Sequence, residues 1–152
     1  MKQVTGDLIK LALAGEYDVI VQGCNCMNQM GKGIALTIKN TWPEVYAADC
    51  KTIKGDINKL GTITTATVVV ANSRVLTVVN AYTQYIYNGP GVLSSVEAIT
   101  AAMLLVKQQY SGKKIGIPMI GAGLAKGDWA VISAAIDEVM QGEDLTLVVL
   151  PT

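Results

Sequence analysis

Short β-branched runs alternate with segments whose apolar residues recur every three or four positions, and glycine-rich turns punctuate the joins. No other feature restricts the fold as much, because strands alternating with helices imply a sheet covered on both faces. Val19-Ile20-Val21 is a short apolar run that stops at Gln22-Gly23. Ile34, Ala35, Ile38 and Trp42 follow at helical spacing, and Pro43 breaks the pattern. Val45, Ala48, Thr52 and Ile53 predict a second short helix ahead of Gly55. Ile63 to Ala71 and Val75 to Ala81 are separated by Asn72-Ser73-Arg74 and read as an antiparallel pair. Val96, Ile99, Met103, Val106 and Tyr110 outline the clearest amphipathic helix, with Ser94 as its expected cap and Glu97 completing a capping box. Lys114 to Ile120 reads as a strand. Trp129, Ile132, Ile136 and Val139 form a last helix stopped at Gly142, and Leu145 to Leu150 is a final strand. The antiparallel pair makes the sheet mixed. The expected fold is a three-layer α/β/α sandwich, as one domain over residues 1–152.

Composition narrows the function. A hydrophobic share of 51% against 16% charged residues supplies enough apolar surface to offset the entropy of ordering. Twelve Lys+Arg balance twelve Asp+Glu, which disfavours nucleic acid as a partner held by bulk positive charge. The longest apolar stretches, such as Val68 to Ala71, are strand-sized, so no membrane partner is expected. The start, Met1-Lys2-Gln3-Val4-Thr5-Gly6-Asp7, lacks a signal-peptide apolar core, and three cysteines cannot all pair. These features predict a cytoplasmic protein. The chain has no His, which removes imidazole acid/base catalysis and imidazole metal ligands together. Cys24 and Cys26 lack the second ligand pair that zinc requires, so no metal is expected.

Two glycine turns carry the chemistry. Gly31-Lys32-Gly33 lies between the strand at Val19 and the helix from Ile34. Gly121-Ala122-Gly123-Leu124-Ala125-Lys126-Gly127 lies between the strand ending at Ile120 and the helix near Trp129. Backbone N–H groups at a helix start have no helical partner, and glycine lets them approach phosphate oxygens. Two such turns fit a pyrophosphate held between them; equally, each could be only a tight turn. A P-loop does not fit, since Gly33 follows Gly31-Lys32 and Cys26 stands where the first glycine belongs. The second turn has one residue too many for the dinucleotide pattern.

Other residues near these turns have two readings each. Asn25 could hydrogen-bond a ribose hydroxyl or serve a local turn. Asp7 and Asp128 each stand where a helix cap belongs. Functionally, Asp7 could accept from an adenine amino group, and Asp128 could position water near a phosphate. Tyr82 and Thr83 end a strand and could reach the same cleft or pack at the sheet edge. Lys32 and Lys126 could meet phosphate or stay solvated. A thiol at Cys24 or Cys26 could be reactive or buried and inert.

Taken together, Gly6-Asp7-Leu8, Gly23-Cys24-Asn25-Cys26, Met30-Gly31-Lys32-Gly33-Ile34-Ala35, Val79-Asn80-Ala81-Tyr82 and Pro118-Met119-Ile120-Gly121-Ala122-Gly123-Leu124 with Asp128-Trp129 resemble the macro domain, an ADP-ribose-binding module. The pieces follow the family's order and span nearly the whole chain. Within the family the chain most resembles the branch of ADP-ribose-1''-phosphate phosphatases and terminal ADP-ribose glycohydrolases, and small bacterial and phage proteins of this type are similar too. The resemblance implies that Asp7 takes the adenine amino group with Leu8 beside it, and that Asn25 faces the distal ribose next to Cys24. It also implies that Gly31, Lys32, Gly33, Ile34 and Ala35, with Met30 beside them, wrap the diphosphate and distal ribose from one side. Gly121, Ala122, Gly123 and Leu124 would do so from the other, with Pro118, Ile120, Tyr82 and Thr83 as further ligand-binding candidates.

The resemblance further implies a hydrolase acting on an ADP-ribose derivative, foremost ADP-ribose-1''-phosphate, with no cofactor; the catalytic candidates are Asn25 and, from its own place beside the second loop, Asp128, three residues past the family's aspartate position. Its alternatives are a non-catalytic ADP-ribose reader and a hydrolase that frees ADP-ribose from acidic side chains. The partners would be ADP-ribose or a derivative, including ADP-ribosylated proteins, met by a monomer in the cytoplasm, or the host cytoplasm for a phage protein. Three positions depart from the branch. Its nucleophilic lysine aligns with Tyr82, its aspartate after the second glycine loop with Ala125, and its phosphatase histidine with Gln22.

Overall fold

The computed structural model describes all 152 residues. Six strands form one sheet: β1 (Lys2–Thr5), β2 (Val19–Asn25), β3 (Ile63–Val69), β4 (Val75–Gln84), β5 (Lys114–Ile117) and β6 (Asp144–Val149). Their order is β1-β6-β5-β2-β4-β3. All neighbours are parallel except β3 and β4, whose register runs from Ile63 opposite Ala81 to Val69 opposite Val75. The short connection between them is a 3-10 turn, Ala71–Ser73, in which Asn72 adopts φ 60°. The mixed sheet expected from the β-branched runs is therefore present.

Helices α1 (Leu8–Leu13), α2 (Gly33–Thr41) and α3 (Pro43–Cys50) follow β1 and β2, while α4 (Val96–Tyr110) and α5 (Trp129–Val139) precede and follow β5. Side chains alternate across a strand, so one β2 can feed two cores. Val19 and Val21 join Val79, Ile115 and Ile117 under α4 and α5, where Ile99, Met103, Ile132 and Ile136 meet them. Ile20 joins Leu76 and Val78 on the opposite face, under Leu8, Ile38 and Val45. Apart from half-buried Gly23, every residue of β2 is buried, as a central parallel strand requires. Burying one Leu- or Ile-sized side chain stabilises by about 1.5–3 kcal/mol, and the two clusters hold most of the buried apolar chain.

Local differences from the sequence pattern have local causes. The helix at Val45 ends at Cys50, so Thr52 and Ile53 lie beyond it. Pro43 opens α3 at its first turn, where its missing N–H costs nothing. Strand β5 stops at Ile117, ahead of Pro118. The cap of α4 is Ser95, whose hydroxyl accepts from Ala98 N–H at 3.1 Å. Ser94 is drawn away from that role because its hydroxyl donates to the Gly121 carbonyl at 2.8 Å.

Candidate functional site

The parallel strands place their carboxyl ends along one edge of the sheet. From β2 the chain runs through α2, α3 and β3 to β4 on one side, whereas from β5 it runs through α5 to β6 on the other. Strands β2 and β5 are adjacent, so their outgoing loops diverge and leave a crevice. Ligands of open α/β sheets bind at this kind of switch point. The first glycine turn follows β2 and the second follows β5. They face each other: a Cβ added at Gly33, whose φ is +59°, would stand 3.4 Å from Leu124 Cδ1.

The glycines divide into two kinds. A Cβ at Gly31 or Gly123 would meet nothing within 4 Å, so these positions border open space. Gly121 has φ +76°, and a Cβ there would stand 2.9 Å from Ile99 and 3.0 Å from Ser94. A Cβ at Gly127 would collide with the Gly121 carbonyl oxygen and the Ser94 hydroxyl. Gly121 and Gly127 therefore shape the turn, closed by the Gly127 N–H donating to Gly121 O at 2.7 Å. Gly31 and Gly123 leave its mouth clear.

The carboxylates at this edge both cap helices. Asp7 Oδ1 accepts from the N–H groups of Ile9 at 3.0 Å and Lys10 at 3.1 Å. Asp128 Oδ1 accepts from Ala130 N–H at 3.0 Å. In each, Oδ2 makes no hydrogen bond within the chain. Asn25 staples its own loop. Its Oδ1 accepts from Met27 N–H at 2.9 Å and Gln29 N–H at 3.3 Å, and its Nδ2 donates to Gln29 O at 2.8 Å. An amide oxygen has two lone pairs, so only one N–H of Asn25 is left for another partner. Lys32, Gly31 and Leu124 are exposed, Ile34, Ala35, Pro118 and Ala122 are half-buried, and Leu8, Met30 and Ile120 are core residues beneath them.

Three sequence-based candidates, Tyr82, Thr83 and Cys24, turn inward, and so does Gln22. Tyr82 is fully buried, and its hydroxyl donates to Asp49 Oδ1 at 2.7 Å and lies 3.0 Å from Thr64 Oγ1. Tyr82 therefore does not reach the cleft, because Asp49 on α3 holds its phenol under that helix. Thr83 is buried with its hydroxyl aimed at the bare face of Gly23, where a Cβ would stand 2.7 Å away. Gln22 is buried and donates to Asn80 Oδ1 at 2.9 Å instead of facing the crevice. Cys24 lies in the same layer, its sulfur 3.7 Å from Asn80 Oδ1. Burial raises its pKa well above the ordinary thiol value, and nearby Asp49 adds to the shift. The Cys26 thiol is also pushed up by burial. Both cysteines are buried, which fits the inert reading of each.

Burial likewise raises the Asp49 carboxyl pKa, while the Tyr82 hydrogen bond and the Lys59 charge work against the shift. Sequence reasoning missed this layer of Asp49, Thr64, Asn80 and Lys59. Nothing in the spacing marks Asp49, Asn80 and Lys59 as buried, or half-buried Thr64 as their neighbour; the layer follows from α3 packing over β3 and β4 and from the 3-10 turn Ile57–Lys59, which sets Lys59 against the Tyr82 ring. Two cavities of about 320 Å³ lie elsewhere, one beside Met1 and Asp137, the other beside Lys2, Glu16 and Lys114. Neither includes a residue of the glycine turns.

A sheet with helices on both faces and two glycine turns across its switch point defines a class: three-layer α/β domains with paired loops at the carboxyl edge of the strands. Within that class, the model of the Macro domain family matches residues 21–136, and the chain belongs to that family. It is 29% identical to the 17.5 kDa protein of the tk–vs intergenic region of Enterobacteria phage T4, over 97% of this chain and 95% of that one. It is 26% identical to the DNA ADP-ribosyl glycohydrolase of Mycobacterium tuberculosis, over 97% of this chain but only 41% of that protein's length. Its fold is that of the macrodomain of Mycobacterium tuberculosis DarG, with a TM-score of 0.71, 22% identity, and coverage of 99% of this chain and 97% of the other. Thermosipho africanus DarTG in complex with ADP-ribose superposes with a TM-score of 0.74 at 16% identity, covering 99% of this chain and 42% of that one.

Proposed function

We propose that the chain binds ADP-ribose in the crevice between β2 and β5 and hydrolyses an ADP-ribosyl derivative there, foremost ADP-ribose-1''-phosphate. The observation that carries this reading is the opposition of Gly31–Gly33 and Gly121–Leu124 across the switch point. A diphosphate calls for backbone approach from both sides, and open space at Gly31 and Gly123 provides it. Asp7 would accept from the adenine amino group, beside Leu8, through its unused Oδ2, and Asn25 would donate its remaining N–H to the distal ribose. Lys32, Ile34 and Ala35 would flank the diphosphate from the first turn, and Pro118, Ile120 and Ala122 from the second. In hydrolysis, water adds to phosphorus and the bond to the ribose oxygen breaks, releasing phosphate and ADP-ribose. Turn amides would stabilise the negative charge that builds on the phosphoryl group, and Asp128 Oδ2 would orient the water.

The mycobacterial relative, matched along nearly all of this chain, favours a second reading: removal of ADP-ribose from DNA. Zero net charge disfavours gripping a phosphate backbone, but such an enzyme would hold its substrate through the ADP-ribosyl group. Calorimetric titration with ADP-ribose, ADP and AMP tests the shared claim; ADP-ribose binding well above ADP is expected. Phosphate release from the 1''-phosphate then competes with ADP-ribose release from an ADP-ribosylated oligonucleotide or a glutamate-linked peptide. Tight binding with no turnover on any of them makes the domain a reader. Absence of ADP-ribose binding by folded protein removes the reading.

A further inference from the structure

Lys59 is a buried cation with an unusual set of partners. It closes the 3-10 turn Ile57–Lys59 and is 7% exposed. A buried ammonium ordinarily faces a carboxylate, yet none of the chain's ion pairs includes it. Its three hydrogens go to three neutral oxygens: Asn28 Oδ1 at 2.7 Å, Thr52 Oγ1 at 2.8 Å and the Cys26 carbonyl at 3.1 Å. The Tyr82 ring centroid lies 5.0 Å from its Nζ, adding a cation–π contact.

Two of those acceptors belong to the loop that leaves β2 and enters the first glycine turn. Asn28 sits at φ 54°, a left-handed conformation that must be held in place. Its carbonyl accepts from Tyr46 OH at 3.2 Å, and its Nδ2 donates to Thr52 O at 3.3 Å. The loop is thus pinned from outside by α3 and the segment after it, with Lys59 as the one group that reaches both Cys26 and Asn28. Removing the ammonium would leave Cys26 O satisfied but would take the main donor from Asn28 Oδ1. Cys26 O also accepts from Gly55 N–H at 2.7 Å, whereas the Thr52 hydroxyl, 3.2 Å from Asn28 Oδ1, has one hydrogen and lies nearer the Asp49 carbonyl, at 2.6 Å. The ammonium therefore does two things at once: it satisfies Asn28 Oδ1, and by also reaching Cys26 O and Thr52 it cross-links the loop to the segment after α3.

We propose that Lys59 is a positioning residue of the diphosphate site, which fixes the turn over residues 26–30 so that Gly31–Gly33 keeps its place opposite Leu124. It does not touch the ligand. The inference rests on reading the two glycine turns as a diphosphate cradle. The test is Lys59→Met in the full chain, which keeps an unbranched apolar stem. Amide exchange at Met27 and Gln29, both bonded to Asn25 Oδ1, is expected to quicken about tenfold, while exchange at Gly127 in the second turn stays unchanged. ADP-ribose affinity is expected to fall about tenfold at a temperature where the variant is fully folded. Unchanged exchange at Met27 and Gln29 overturns the clamp whatever the ligand. Faster exchange with undiminished affinity overturns the positioning role. Wild-type protein that fails to bind ADP-ribose instead overturns the reading of the site, and the exchange data still decide the clamp. Should Lys59→Met not fold, the isosteric Thr52→Val removes one anchor of the ammonium. Exchange and affinity are then measured on that variant, and the same results support or overturn the clamp and the positioning role.

Discussion

At the scale of single residues, one side chain often has two duties, and the right substitution separates them. Asp7 caps α1 with Oδ1 and keeps Oδ2 free. Asparagine is as good a cap as aspartate, so Asp7→Asn preserves the helix start. Once its single oxygen is committed to the cap, however, it turns an NH₂ group toward an adenine amino group, setting donor against donor. Asp7→Asn is expected to melt within a degree or two of wild type and to lose about tenfold in ADP-ribose affinity. Asp7→Ala should lose the same affinity and about 0.5–2 kcal/mol of stability as well. Calorimetry and thermal denaturation on both variants check this. Full affinity in Asp7→Asn would leave Asp7 as a cap alone. Asn25 shows the same economy: the amide that suits a ribose is mostly spent on Met27 and Gln29.

At the scale of elements, the second glycine turn is built from positions with opposite tolerances. Gly123 faces open space, so Gly123→Val is expected to fold and melt like wild type while losing ADP-ribose binding, because the new side chain stands where the ligand must approach. A side chain at Gly127 has no room, being pressed against Gly121 O, Ser94 Oγ and Ile132. Gly127→Ala is expected to cost about 1–3 kcal/mol of stability, read by urea denaturation. Equal behaviour of the two variants would contradict this division of the turn. The Ser94 bond to Gly121 also shows why the start of α4 shifted by one residue from the expected capping box. Ser94-Ser95 offers two hydroxyls, and a contact from a distant turn decides which of them caps.

At the scale of the whole molecule, both cores hang on the same strands. Trp42 lies in the cluster beneath α1, α2 and α3, and Trp129 packs against the one beneath α4 and α5. If residues 1–152 form one cooperative unit, each single-tryptophan variant (Trp42→Phe or Trp129→Phe) should show coincident denaturation midpoints by fluorescence and by far-ultraviolet circular dichroism. A fluorescence midpoint that departs from the dichroism midpoint would divide the chain into separate units. The order of strands and helices, the antiparallel pair at β3 and β4, the caps at Asp7 and Asp128 and both glycine turns can be read from the amino-acid order. Each depends on residues a few positions apart, where periodicity, proline and glycine act directly on the backbone. The inward turn of Tyr82 and Thr83, the hydrogen bond from Gln22 to Asn80, and the burial of Asp49 and Lys59 cannot. Tyr82 meets Asp49 across 33 positions of sequence, and Lys59 meets Cys26 across the same interval. Those partners come together only when α3 and the turn after it close over β4. Local residue patterns thus set where the two glycine turns form. Which polar side chains face the crevice and which are spent beneath it is set by the packed fold, because burial and hydrogen bonding depend on neighbours that folding supplies.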